Sequence, residues 1–301
     1  MPPIMECVPN FSEGRNQKTI NAILQSIQSI AGINLLHHTS DTDHNRTVVT
    51  FAGEPLPVVE AAFAAIKTAS ELIDMEQHQG VHPRLGAADV IPFVPLKDMT
   101  LADCVAFARQ LGQRVGEELK LPVYLYEAAA LHPERRNLAT IRRGQYEGLK
   151  ETITQIERQP DFGSTTIGKA GAVVIGARKP LIAFNIYLTT ADVTIAQHIA
   201  KAIRYSSGGL AGVKALGLLV QGQAQVSMNL TDYRRTPIFR VVEMIRSEAH
   251  RYGVSIHHAE LIGLIPQDAL LDSARWYLQL QDSDNRQILE HSLNWGAFSI
   301  P

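Results

Sequence analysis

The sequence predicts an α/β protein, an α+β sandwich of two ferredoxin-like βαββαβ subdomains lying side by side with a ligand cleft between them. Three observations carry this. Short apolar runs of strand composition alternate with segments of helical period. The order βαββαβ occurs twice. Between the two occurrences a charged stretch from Arg142 to Gly171, with Pro160 inside it, interrupts the rhythm and reads as a linker or crossing loop. The subdomains are placed at residues 1–178 and 179–301. With 301 residues, 45% of them hydrophobic and 19% charged, the chain can bury two ordinary cores.

In the first half, Met5 to Pro9 reads as a buried strand. A helix follows with Ile20, Ile23, Leu24, Ile27 and Ile30 on one face, closed by Gly32. Ile33 to Leu36 and Thr47 to Ala52 read as strands and Val58 to Ile73 as an Ala-rich helix. Val90 to Val94 is a further strand, extended by a helix from Thr100 to Leu119 and a strand from Val123 to Tyr126. In the second half, strands are expected at Leu181–Leu188, Val213–Val220, Gln225–Asp232 and Ser255–Ile265, with helices at Val193–Arg204 and Ile238–Tyr252. No residue-level repeat links the halves, so the duplication is one of element order. Interdomain clefts are common ligand sites.

Composition narrows the partners. Lys plus Arg number 28 against 30 Asp plus Glu, a net charge of -2, which gives no ground for a nucleic-acid surface or an anionic membrane. Cys7 and Cys104 fit neither a disulfide framework nor a zinc site. The first residues lack a signal-peptide pattern, and no run of about 18 apolar residues occurs, so a cytoplasmic protein is expected.

Eleven histidines invite a metal reading, above all His78 and His82, four apart in HQGVHPR. Gly80 between them and Pro83 after them break the helix that this spacing needs, and no HExxH is present, so no metal is expected. Pro83 instead imposes an extended backbone on His82, and Gly80 and Gly86 permit close approach. That holds an imidazole at the rim of a sheet, open to two readings, an ordinary partly exposed histidine or a functional one. GSTTIGKA, Gly163 to Ala170, nearly matches a phosphate loop, but Ala170 lacks the hydroxyl for Mg²⁺ and neither strand nor helix flanks it as required. The loop and Lys169 still offer N–H groups and a cation to a carboxylate or heterocycle. Asp41, His44, Asn45 and Arg46 cluster before a strand, Asn185 is a polar residue in an apolar run, and Gln225, Ser227 and Asn229 alternate on one strand face.

Taken in order, ECVPNFSEGRN, DTDHNRTV, HQGVHPRLGAADVIPFVP, LPVYLYE, RRNLATIRRGQYEGL, DFG with GARKPLIAFN, and QVSMNLTD resemble the glutamate formiminotransferases over essentially the whole chain. The resemblance implies a homodimer of two-subdomain chains with tetrahydrofolate as co-substrate between the subdomains. N-formimino-L-glutamate is the implied donor and His82 the catalytic residue. The folate-contacting loop would be Gly163, Ser164, Thr165, Thr166, Ile167, Gly168, Lys169, Ala170 and Gly171. In this reading Asp41 steadies an amidinium or the imidazolium, and Asn10, Asn45, Arg46, Arg84 and Asn185 bind substrate. The chain ends at Pro301 without a cyclodeaminase part, so a separate cyclodeaminase is expected to act on the product. Val81 stands where family members often carry Glu. A related folate-dependent transferase with another donor, and a non-catalytic folate-binding protein, stay open as alternatives.

Overall fold

The structure is a computed structural model that describes residues 2–281 and 284–292. Its first half contains β1 (Ile4–Cys7), β2 (Asn10–Phe11), α1 (Gln17–Gln28), β3 (Asn34–Asp41), β4 (Arg46–Gly53), α2 (Pro55–Leu72) and β5 (Ala88–Lys97). Then come α3 (Leu101–Arg114) with a π-helical turn at Val115–Leu119, β6 (Val123–Glu127), α4 (Leu138–Ile141), α5 (Gln145–Thr152) and β7 (Val173–Ala177). β1 and β2 are two pieces of one line, broken at Val8 and Pro9, and both pair with β4 and with β5. The sheet runs β3, β4, β1/β2, β5, β7, β6. It is antiparallel except where β7 lies parallel to β5 and β6.

The second half contains β8 (Ile182–Leu188), α6 (Val193–Ile203), β9 (Val213–Val220), β10 (Gln223–Leu230), α7 (Ile238–Arg251), β11 (Ile256–Ile262) and α8 (Gln267–Leu278). Its sheet is antiparallel in the order β11, β8, β10, β9. β9 and β10 are joined by Gln221 and Gly222, both at positive φ, the two-residue hairpin turn whose twist matches the strands. In both halves the first strand of the βαββαβ run lies between the third and the fourth.

Each sheet carries its helices on one face. Ile20, Ile23 and Ile27 of α1, with Val59, Phe63 and Ile66 of α2, belong to one core with Val49 and Phe51 of β4. Ile182 and Ile186 of β8 share a second core with Ile199 of α6 and Val241 and Ile245 of α7. Each such buried aliphatic side chain contributes about 1.5–3 kcal/mol. The alternating residues, Arg46, Val48 and Thr50 on β4, Asn185 and Tyr187 on β8, and Gln223, Gln225 and Ser227 on β10, fall on the faces without helices. Contacts bridge the halves on that side: Gln221 N donates to Asp43 Oδ2 at 2.8 Å, and a Cβ on Gly263 would lie 3.7 Å from Thr50 Oγ1. A third bridge joins Lys214 to Glu127 at 2.9 Å.

Several elements differ from the sequence reading. The stretch from Arg142 to Gly171 is not a connector between halves: α5 lies within it, Tyr146 is buried, and Tyr146 N donates to Arg84 O at 3.0 Å. It brings the chain back to the first sheet as β7, a strand the reading missed. β3 runs on to Asp41 because it is an edge strand, whose polar residues are not required to enter a core. Among the described residues no helix is long and apolar enough to cross a membrane.

Candidate active site

His82 lies on the segment between α2 and β5, and its neighbours explain its position. A Cβ on Gly80 would fall 2.3 Å from His44 O, and one on Gly86 would fall 2.3 Å from Ala172 O, so the glycines let this segment pack against the β3–β4 turn and the start of β7. His82 Nδ1 lies 2.8 Å from Pro83 O. A carbonyl only accepts, so Nδ1 carries the proton and Nε2 presents its lone pair, with no partner among the described residues. Burial first, then the charges of Arg46 and Arg142, hold the His82 imidazolium well below its usual range. The ring is therefore neutral at neutral pH.

Beside it the His44 ring lies 5.9 Å away, centroid to centroid. His44 Nδ1 sits 2.9 Å from Asp41 Oδ2, out of line for a hydrogen bond, while Asp41 Oδ1 accepts from Asp43 N and His44 N at 2.8 Å each. Burial alone would raise the Asp41 carboxyl, but the close His44 ring nitrogen first, then the backbone hydrogen bonds, overcome it and bring it to about 2. Asp41 thus sits against His44, one residue removed from His82.

The cations divide into two kinds. Arg84 is buried and committed: its Nη1 and Nη2 donate to the two oxygens of Glu147 at 2.8 and 2.6 Å, and its Nε donates to His78 Nδ1 at 3.2 Å. The Arg46 guanidinium has no hydrogen bond among the described residues. Burial, then the nearby Arg142, push its guanidinium down to about 10, which leaves it charged at neutral pH. Arg142 pairs with Asp89, whose other oxygen accepts from Leu85 N at 2.7 Å, and the buried Arg142 Nε has no partner. Sequence reading singled out neither Arg142 nor Asp89; the motifs RRNLATIRRGQYEGL and GAADV contained them without marking which residues turn inward.

His78 is no ligand. Its Nε2 lies 2.9 Å from Asn45 O and its Nδ1 takes the Arg84 proton, so both ring nitrogens are used. Asn45 is spent as well, at φ 47° with Oδ1 accepting from Gly14 N and Nδ2 donating to Gln79 O. Asn10 is half-buried on β2 and directs its amide to Val8 O at 3.3 Å. Asn185 faces the other half and donates to Glu260 at 3.1 Å.

The Gly163–Gly171 loop runs beside the His82 segment: Ala87 N donates to Ala170 O at 2.8 Å and Met75 N to Lys169 O at 2.7 Å. Within it Ser164 Oγ accepts from Thr166 N at 2.9 Å, Ile167 is buried, and Gly163, Thr165, Gly168 and Lys169 are exposed. Lys169 has no partner among the described residues.

His44, Arg46, His78, His82, Arg84 and Asp89 enclose only about 10 Å³, room for one water. A larger ligand does not fit inside it. A larger hollow of about 280 Å³, lined by Glu127, Arg178, Leu181 and Thr231 among others, holds none of these residues.

A neutral imidazole with a free nitrogen, guanidinium groups beside it and a second sheet facing it mark the candidate site of a two-lobed α/β enzyme. Family models agree: one described as the formiminotransferase domain, N-terminal subdomain, matches residues 4–178, and one described as the formiminotransferase domain matches residues 183–293. The chain belongs to the formiminotransferase family. It is 51% identical to a glutamate formimidoyltransferase of Thermoplasma acidophilum, over 98% of each chain. It is 47% identical to one of Streptococcus pyogenes, over 97% of this chain and 99% of that one. It is also 46% identical to the formimidoyltransferase-cyclodeaminase of Rattus norvegicus, spanning 92% of this chain and 53% of the rat protein.

Proposed function

We propose that the protein is a glutamate formimidoyltransferase, moving the formimino group of N-formimino-L-glutamate to nitrogen 5 of tetrahydrofolate and releasing L-glutamate. The observation that carries this reading is the free Nε2 of His82, fixed as an acceptor by the bond from Nδ1 to Pro83 O. Attack of the folate amine on the amidine carbon gives a tetrahedral intermediate. The attacking nitrogen must lose a proton and the departing glutamate nitrogen must gain one. Nε2 takes the first and returns it for the second, which typically contributes about 10²- to 10⁴-fold. Arg46 supplies an uncommitted guanidinium for a substrate carboxylate, since a planar fork suits that group. Arg84, tied to Glu147 and His78, holds the wall behind His82 instead. Asp41 fixes His44 and so the ring beside His82. In this reading the loop from Gly163 to Gly171, which runs beside the His82 segment with the Lys169 ammonium free, contacts the folate. Holding both substrates in one cleft itself lowers the barrier by several kcal/mol.

The test is to incubate the purified protein with tetrahydrofolate and N-formimino-L-glutamate and to measure glutamate and 5-formiminotetrahydrofolate together. Equal amounts of the two products are expected. Folate binding without glutamate release identifies a binding protein instead, and release from another amidine only identifies a transferase with another donor.

A further inference from the structure

The second sheet faces the first with a polar cluster that the reaction above leaves without a role. Glu260 on β11 lies opposite Asn185 on β8, and its Oε2 takes hydrogen bonds from Asn185 Nδ2 at 3.1 Å and from the Tyr187 hydroxyl at 3.4 Å. Oε1 has no partner among the described residues. Next to it in the register, Gln225 on β10 lies opposite Tyr187. Gln225 is completely buried, yet its amide makes no hydrogen bond of good geometry at either end. It points away from the core, since its neighbours Ala224 and Val226 fill that side. A buried amide left this way costs free energy unless something completes it. The turn before β10 is bonded to Asp43 through Gln221 N at 2.8 Å, and Gly263 after β11 lies against Thr50 of β4, so this face of the second sheet looks onto the strands that carry Asp41 and Arg46.

The functional groups on offer are an acceptor from Glu260 and one donor plus one acceptor from Gln225. A 2-amino-4-oxopyrimidine edge presents their complement: one carbonyl acceptor, one ring N–H and one exocyclic amine. A formamidinium presents donors only and leaves the Gln225 N–H unanswered. We propose that Glu260 and Gln225 read the aminopyrimidinone edge of the pterin, Glu260 taking the exocyclic amine and Gln225 the lactam. Asn185 and Tyr187 act as positioning residues that hold the Glu260 carboxylate. The assignment rests on tetrahydrofolate being the co-substrate.

The test compares equilibrium binding of tetrahydrofolate and of its 2-deamino-2-methyl analogue to the wild type and to E260Q, with the KM for formiminoglutamate alongside. Loss of the amine should weaken binding to the wild type roughly 10-fold or more. E260Q should weaken tetrahydrofolate binding about 10- to 100-fold, as expected for losing a charge-assisted bond. The analogue should bind the two proteins alike, and KM for formiminoglutamate and the ligand-free melting temperature should stay unchanged. Q225M, which keeps the volume and removes the amide, should cost about tenfold in tetrahydrofolate affinity. A raised formiminoglutamate KM with unchanged folate affinity would transfer Glu260 to the donor and overturn the proposal. So would a wild type indifferent to the missing amine, a comparison that does not depend on any variant folding. A wild type that binds no tetrahydrofolate at all would refute the proposed function itself, a distinct result.

Discussion

Arg46 and Arg84 are indistinguishable as sequence letters and opposite in circumstance. Arg84 is tied into a fork with Glu147, 63 positions away, and into His78, a partnership no local pattern reveals. Arg46 faces the cleft with its donors free. Arg46→Ala should therefore raise KM for formiminoglutamate roughly 10- to 100-fold with little change in melting temperature, as loss of a charge-assisted fork predicts. Arg84→Ala should instead lower stability by about 1–3 kcal/mol, because it leaves buried His78 without its donor. Melting curves beside steady-state kinetics separate the two, and the reverse pattern would exchange their roles. Asp41 permits a signed prediction. Its carboxyl is held at about 2 against an ordinary 3.8, so the stability it gives is full above about pH 4 and lost as the pH falls through 2. Asp41→Asn, at a partly exposed site, should cost about 1–2 kcal/mol at pH 7. Urea midpoints for the two proteins should converge between pH 4 and pH 2; a constant gap would mean that the Asp41 charge is not what matters.

At the scale of elements, the helices and most strands were legible because their signals are local. The helix starting after Thr100 carries its capping box, Thr100 accepting from Asp103 N while the Asp103 carboxylate accepts from Thr100 N. β7 was not, because GAVVIGA follows a Gly-rich loop directly and four buried residues between glycines give no period to read. α8 lay beyond the second βαββαβ run and was not anticipated. The loop before β7 has a pinned backbone and a free Lys169 side chain. Lys169→Ala should accordingly weaken folate binding by about tenfold while the unliganded protein melts within about 0.5 kcal/mol of wild type. Lost stability at unchanged folate affinity would make the loop a structural strap.

At the scale of the whole molecule, the two sheets bury their helical faces separately and leave polar faces towards each other, Arg46 beside His82 in the first half and Asn185 with Glu260 in the second. Alternation within a strand was readable, so Gln225 and Ser227 were known to share a face. Which face of one sheet meets which face of the other is fixed by contacts such as Gln221 to Asp43, 178 positions apart, and no single sequence displays them. For that reason the sequence singles out His82, whose Gly and Pro setting is local, and not Arg142 or Glu260, whose neighbours come from distant parts of the chain. The proposed chemistry depends most directly on His82 Nε2 being unprotonated, and the pH dependence of kcat/KM for the wild type and for His82→Ala addresses it. A protonated ring cannot take the folate proton, so activity should fall as the pH drops through the His82 pKa. Because burial and the charges of Arg46 and Arg142 lower that pKa, the midpoint of the wild-type acid limb should lie below 6.5. His82→Ala should lose about 10²- to 10⁴-fold in turnover, keep its affinity for tetrahydrofolate, and show no such limb in its residual activity. The same limb persisting unchanged in the variant would contradict the assignment and place the base on another group.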